Sequence, residues 1–278
     1  MTLDIGKFNH LKVVKVTDHG VYLDAMDGDQ ILLPNRDVPE GLDIGGCIDV
    51  FVYFDSDDRL IATTATPKAQ VGCCAFLKVI DTNRVGAFLD WGLAKDLLVP
   101  FSEQQQRMQV GSAYVVYVFH DHQTDRIVAS SKLRRHLDEQ SLWLKPQQAV
   151  ELIIYDKTEL GYKAVIDNQY LGLIFHTDAF RSLDIGERLP GFVKAIRPDG
   201  KIDLLISQHS AQGDNQLENQ ILEHLKQRGG KSQITDKSPP EAIYKEFKVS
   251  KKKYKNALGA LYKKRRILIA ADTISLVD

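Results

Sequence analysis

The chain opens with short apolar runs broken by turn residues. Val13, Val14 and Val16, then Val21 and Leu23, then Ile31 to Leu33, are separated by Asp18-His19-Gly20 and Asp27-Gly28, and Asp55-Ser56-Asp57-Asp58 forms a further polar break. Aliphatic and β-branched runs of this length between turn residues predict short strands rather than helices. At Gln216 the period changes. Leu217, Ile221, Leu222 and Leu225 recur at helical spacing, and Gly229-Gly230 ends the run. Residues 231–238 form a polar connector. Pro239-Pro240 then opens a helix through Glu241 to Phe247, proline being tolerated in a first turn. Ser250 caps a third helix running to about Lys264. On it, Tyr254, Ala257, Leu258, Leu261 and Tyr262 form an inward stripe, with Lys252, Asn256, Gly259 and Lys263 opposite, flanked by Lys255 and Arg266. Ile267 to Ala270 and Ile274 to Val277 predict a closing β-hairpin that turns through Ala270-Ala271-Asp272-Thr273.

The strand-rich part repeats. Leu11 to Asp24 aligns with Leu77 to Asp90, Ile31-Leu-Leu-Pro34 with Leu97-Leu-Val-Pro100, Asp43-Ile-Gly-Gly46 with Gln109-Val-Gly-Ser112, and Asp58 to Ala62 with Asp125 to Ala129. The offset is 66 at Gly20/Gly86 and 67 at Arg59/Arg126, which a one-residue loop insertion explains. A weaker third copy runs through Gly161 to Asp167, Leu173-Ile-Phe175, Asp184-Ile-Gly186 and Gly200 to Ile206. About five strands in ~65 residues suit a five-stranded Greek-key barrel of the oligonucleotide-binding type. The expected organisation is three barrels over 1–66, 67–140 and 146–210, then a helix, helix, basic helix and hairpin module over 214–278. That last order is the winged helix-turn-helix, whose third helix normally carries nucleic-acid contacts. The fold class is therefore mainly β with an α+β C-terminal module.

Charge sharpens this picture. The net charge is only −1, but residues 1–66 hold five basic against twelve acidic residues, while residues 212–278 hold fourteen basic against eight acidic. A basic end module is the electrostatic footprint of phosphate binding, and an acidic first barrel is a poor phosphate surface. Lys251 to Lys253 and Lys255, with the Lys263-Lys264-Arg265-Arg266 cluster, make phosphate contacts the favoured use of the third helix over a merely solvated face.

The order Val85-Gly-Ala-Phe-Leu89, Leu98-Val-Pro-Phe-Ser102, Val110-Gly111 and Asp125-Arg-Ile127 resembles the S1 domain. In that family the aromatic two positions after the turn glycine stacks on RNA, which implies a stacking role for Tyr22 and Phe88, with packing inside or between barrels as the alternative. The basic residue after the last turn corresponds to Arg59 and Arg126. Where many S1 domains have an aromatic before the glycine, this chain has His19 and Val85; where they often have a histidine, it has Pro34, Pro100 and Phe175. Phe76 shares with His10 a position ten residues before the glycine, open to stacking or packing, and Trp91 is expected at a loop or interdomain contact. The whole order, with Ser250 to Lys264 as its most specific stretch, is similar to a bacterial family, conserved virulence factor B. The resemblance implies three S1-like domains, a winged helix and RNA binding. The expected site is Tyr22, Arg59, Phe76, Phe88, Arg126, Lys252, Lys255, Lys263 and Arg266, and the expected partner is RNA in single-stranded form. Duplex DNA held by the winged helix, or a protein scaffold on ribosomes, are the rival partners.

Other chemistry has little foothold. Cys47, Cys73 and Cys74 are odd in number, and none forms a zinc spacing, so neutral thiols in a reducing cytoplasm are expected. The histidines are dispersed, Asp55 to Asp58 lacks the glycine and terminal glutamate of a calcium loop, and neither a nucleophile elbow nor a phosphate-cradling glycine loop is present. No cofactor, metal, catalytic group, leader or membrane span is expected.

Overall fold

The computed structural model describes residues 3–25, 28–179, 181–206, 211–270 and 273–277, with backbone alone at 211–216. The expected turn residues Asp27, Ala271 and Asp272 lie outside the described residues, as do residues 207–210. The chain divides into two compact units, residues 1–175 with 183–204, and residues 176–182 with 205–278.

The first unit holds three closed barrels of five strands each. The first consists of β1 (Phe8–Thr17), β2 (Gly20–Asp24), β3 (Gln30–Pro34), β4 (Cys47–Phe54) and β5 (Leu60–Thr63) in the order β1-β2-β3-β5-β4. The second consists of β6 (Cys74–Thr82), β7 (Gly86–Asp90), β8 (Leu97–Pro100), β9 (Ala113–Asp121) and β10 (Arg126–Ser130), and the third of β11 (Ala149–Lys157), β12 (Gly161–Ile166), β13 (Tyr170–Phe175), β14 (Arg188–Ile196) and β15 (Ile202–Leu205), both in the corresponding order. In each, a long first strand pairs antiparallel with the second strand along one edge and the fourth along the other. To serve two partners it must bend, and it does so at a bulge in the same place each time, between Val13 and Lys15, Val79 and Asp81, and Ile154 and Asp156.

The glycine opening each second strand meets a steric demand. A Cβ on Gly20, Gly86 or Gly161 would overlap the carbonyl oxygen of Leu33, Val99 or Ile174 on the third strand. Gly86 shows that the reason is close approach, because it alone of the three lacks a positive φ. The glycine also sets the phase of the second strand. Val21 and Leu23, Ala87 and Leu89, and Tyr162 and Ala164 point into the barrels, and the residue between each pair points out.

The barrels do not stand apart. Phe51 and Tyr53 of the first join the core of the second around Trp91, which is 3% exposed and meets both rings edge-on at 5.8 and 6.4 Å. The Trp91 indole donates to the Lys95 carbonyl at 2.6 Å. Between the second and third barrels, Cys74, Val115, Leu133, Leu137, Ile153, Val165 and Leu171 form a shared apolar cluster. The Cys74 amide donates to Asn168, its carbonyl accepts from Arg188, and burial pushes its thiol up to about 12, so it stays protonated.

The second unit packs α1 (Ala211–Gln227), α2 (Pro240–Phe247) and α3 (Lys251–Lys263) on a small sheet of β16 (Lys231–Ser232), β17 (Ile267–Ile269) and β18 (Ile274–Leu276), ordered β16-β18-β17. Ser250 caps α3 by accepting from the Lys253 amide, and α2 ends where Lys248 turns left-handed at φ 56°. The core takes Leu217, Ile221, Leu225, Ile243, Tyr254, Leu258 and Leu261. Two expectations are corrected. Lys231-Ser232 is a strand, because the segment expected to be only a connector finds a free edge of β18 with which to pair its backbone. Tyr262 is 54% exposed, because Leu261 already fills the inward face at that turn.

Gly86→Ala is expected to lower stability by roughly 1–3 kcal/mol through overpacking, read as a lower denaturation midpoint. Gly259, with nothing near its missing side chain among the described residues, should respond oppositely. Gly259→Ala should stabilise the second unit by about 0.5–1 kcal/mol through helix propensity.

Candidate nucleic-acid interface

The alternation set by the turn glycines carries Tyr22 and Phe88 out of the barrel interiors. Each is half-buried, between two fully buried neighbours on its strand. Tyr22 pairs across the strands with Lys15, whose ammonium lies 5.7 Å from the ring centroid. Phe88 sits opposite Asp81 and lines a cleft of about 390 Å³ between the first and second barrels. Val85, Leu98 and Trp91 extend its apolar wall, and Asp58, Lys95, Asp96 and Arg126 supply its charges. An apolar wall with an aromatic ring is the type of surface on which nucleic-acid bases stack, at about 1–3 kcal/mol per base.

The two arginines expected at the site are already engaged. Arg59 is held by its own hairpin, through Asp55 at 2.9 Å and Asp57 at 2.7 Å. Arg126 reaches across the barrel joint to Asp58 at 2.5 Å, and Lys95 reaches the same carboxylate at 2.8 Å. Hydrogen bonds from Lys95 and Arg126 hold the Asp58 carboxyl below the usual carboxylate range. The cleft thus brings together Phe88 and Arg126, with two cations against two carboxylates on its lining. Tyr22 and Arg59 remain on the first barrel, outside that lining.

Phe76 takes a different place. Its ring lies over Gly186, where a Cβ would overlap it, so it seats the turn before β14 against the second barrel. Its counterpart His10 is held by Asp49 at 2.7 Å. In the second unit, Lys252, Lys255, Lys263 and Arg266 are all exposed, on or directly after α3, while Tyr254 and Leu258 hold the opposite side of the helix in the core. Lys264 is bound to Glu218 at 2.6 Å, and Lys251 donates to the Lys237 carbonyl. Sequence reasoning missed Lys95, whose partner Asp58 is distant in the chain. It also missed Lys132, Arg134, Arg135 and Lys163, which line a second cleft. Lys132 and the adjacent arginines were legible as a basic run, whereas Lys163 joins them only through the packing of the barrels.

The S1 domain family model matches residues 5–65 and 71–132, and the CvfB-like winged helix domain model matches residues 219–276. These tandem barrels followed by a winged helix define a class of multidomain proteins built for nucleic-acid binding. Over nearly its full length the chain is similar to Conserved virulence factor B of Staphylococcus aureus, at 26% identity across 99% of this chain and 96% of that one. It is likewise similar to Conserved virulence factor B of Staphylococcus saprophyticus, at 25% identity across 99% and 95%, and to Bacillus subtilis YitL, at 26% across 92% and 88%. The winged-helix match and these alignments together make the chain similar, from end to end, to the conserved virulence factor B proteins. A crystal structure of a multidomain protein with nucleic acid binding domains from Streptococcus pneumoniae aligns over 98% of both chains, at 22% identity and a TM-score of 0.43.

Asp58→Asn should free Arg126 and Lys95 for phosphate. Single-stranded oligonucleotide affinity should rise at low salt with a steeper salt dependence, and filter binding across a salt series checks this.

Proposed function

We propose that this protein binds single-stranded RNA as a regulator and alters no covalent bond in it. The observation that carries this reading is the outward placement of Tyr22 and Phe88, each two residues after the close-approach glycine in a barrel matched by the S1 family. Outward rings on a closed barrel offer faces to unpaired bases, and unpaired bases are what most sequence-dependent RNA recognition uses. The basic face of α3 adds phosphate contacts from the second unit, in the position where a winged helix meets nucleic acid. Reduced cysteines suit the cytoplasm where such RNA is found, and Cys47, Cys73 and Cys74 are free thiols. The same helix face favours a second reading, duplex DNA bound by the winged helix.

Competition between single-stranded RNA and duplex DNA in a gel-shift assay separates the two, with RNA expected to win. Phe88→Ala should weaken RNA binding by about 1–3 kcal/mol, the value of one stacked base, and leave duplex DNA binding unchanged. Changing Lys252, Lys255 and Lys263 together to Ala should flatten the salt slope for RNA by about 2, at roughly 0.7 per lost phosphate contact. An unchanged slope removes α3 from the interface.

A further inference from the structure

The third barrel departs from the first two at one telling position. The residue two after the close-approach glycine is Tyr22 in the first barrel and Phe88 in the second, and in the third it is Lys163. The register is the same in each, with Tyr22 opposite Lys15, Phe88 opposite Asp81 and Lys163 opposite Asp156, directly after the bulge. The third barrel therefore presents an ammonium where the others present a ring.

Lys163 opens onto a cleft of about 550 Å³ between the second and third barrels. Across from it stand Lys132, Arg134 and Arg135, in the segment that leaves β10. Leu133 anchors that segment in the apolar cluster between the barrels, and a single turn of 3-10 helix at Leu133–Arg135 fixes the arginines that follow. The lining carries four cations and one carboxylate, Asp156, whereas the Phe88 cleft is evenly balanced. Two of these cations sit in partly exposed ion pairs, Arg134 with Glu139 at 3.0 Å, where it also bonds the Tyr155 hydroxyl, and Lys163 with Asp156 at 2.7 Å, and Lys132 donates to the Ser102 carbonyl. Pairs of this kind are weak, and a phosphate can displace their carboxylates. Arg135 is tied to the less exposed Glu103 at 3.0 Å. Gln105, Tyr114 and Tyr155 add further polar groups, and burial pushes the Tyr155 phenol up to about 12, so it remains a donor.

The geometry points to a division of labour. The cleft between the second and third barrels is a phosphate-backbone site for a single-stranded polynucleotide, and the third barrel meets the strand through Lys163 in place of a stacking ring. This rests on the proposed RNA binding and assigns the strand's charges to a site separate from its bases.

The test measures binding of the full chain to two single-stranded probes of equal length, one carrying bases and one abasic, across a salt series. Two variants are used: Lys132, Arg134 and Arg135 changed together to Ala, and Lys163→Gln, which keeps the strand and removes only charge. The expected result is an equal fold-loss on both probes, with slopes flatter by about 2 and about 0.7 respectively, whereas Phe88→Ala weakens the base-bearing probe alone. Denaturation midpoints show that each variant is folded, and Lys163→Gln decides if the triple variant is not. Unchanged binding in the variants while the wild-type chain binds overturns the phosphate site and leaves the proposed function standing. A loss confined to the base-bearing probe also overturns it. If the wild-type chain binds neither probe, RNA binding itself fails. If the cleft instead captures polyglutamate in a manner lost in the variants, its occupant is an acidic peptide and the proposal is wrong.

Discussion

Each barrel closes only because one backbone position bears no side chain. The third strand passes so near the start of the second that a Cβ at Gly20, Gly86 or Gly161 would overlap a carbonyl oxygen. With that contact made, the long first strand can bend at its bulge and pair along both edges. The same contact fixes which residues of the second strand face inward. Because strand side chains alternate, the residue after the glycine is buried and the next one is presented to the outside. Tyr22, Phe88 and Lys163 owe their exposure to this steric condition rather than to any contact of their own.

The second constraint is the joint between barrels. A module this small buries limited surface alone, and here the deficit is met by neighbours. Trp91 with Phe51 and Tyr53 fuses the first two barrel cores, and the cluster around Leu133 and Ile153 joins the second to the third. These joints create the clefts. They also spend charge, since Asp58 of the first barrel holds Arg126 of the second. An arginine that in isolation offers a cation to phosphate is thereby part of the scaffold.

The winged helix solves a different problem. Its helices bury one face around Tyr254, whose hydroxyl donates to the Ile234 carbonyl at 2.8 Å, and this fixes the rotation of α3. Lys252, Lys255, Lys263 and Arg266 are left outward because the apolar stripe has claimed the other side. β16 completes the small sheet by supplying a partner for the outer edge of β18, so that the hairpin's backbone groups on that side are bonded.

Much of this was written in the sequence. The repeat, the turn glycines, the period change at Gln216, the Ser250 cap and the basic stripe on α3 are local patterns, and local sterics and hydrogen bonding suffice to interpret them. A two-residue step from a glycine is enough to place Tyr22 and Phe88. What sequence could not supply were facts about neighbours far apart in the chain. The pairing of Arg126 with Asp58, the seating of Phe76 on Gly186, the edge that recruits Lys231-Ser232, and the meeting of Lys163 with Lys132 and Arg134 all arise from surfaces brought together by packing. Alternation tells which way a side chain points, but only the assembled barrels decide what stands opposite it, because burial and charge pairing are properties of the contact and not of the residue.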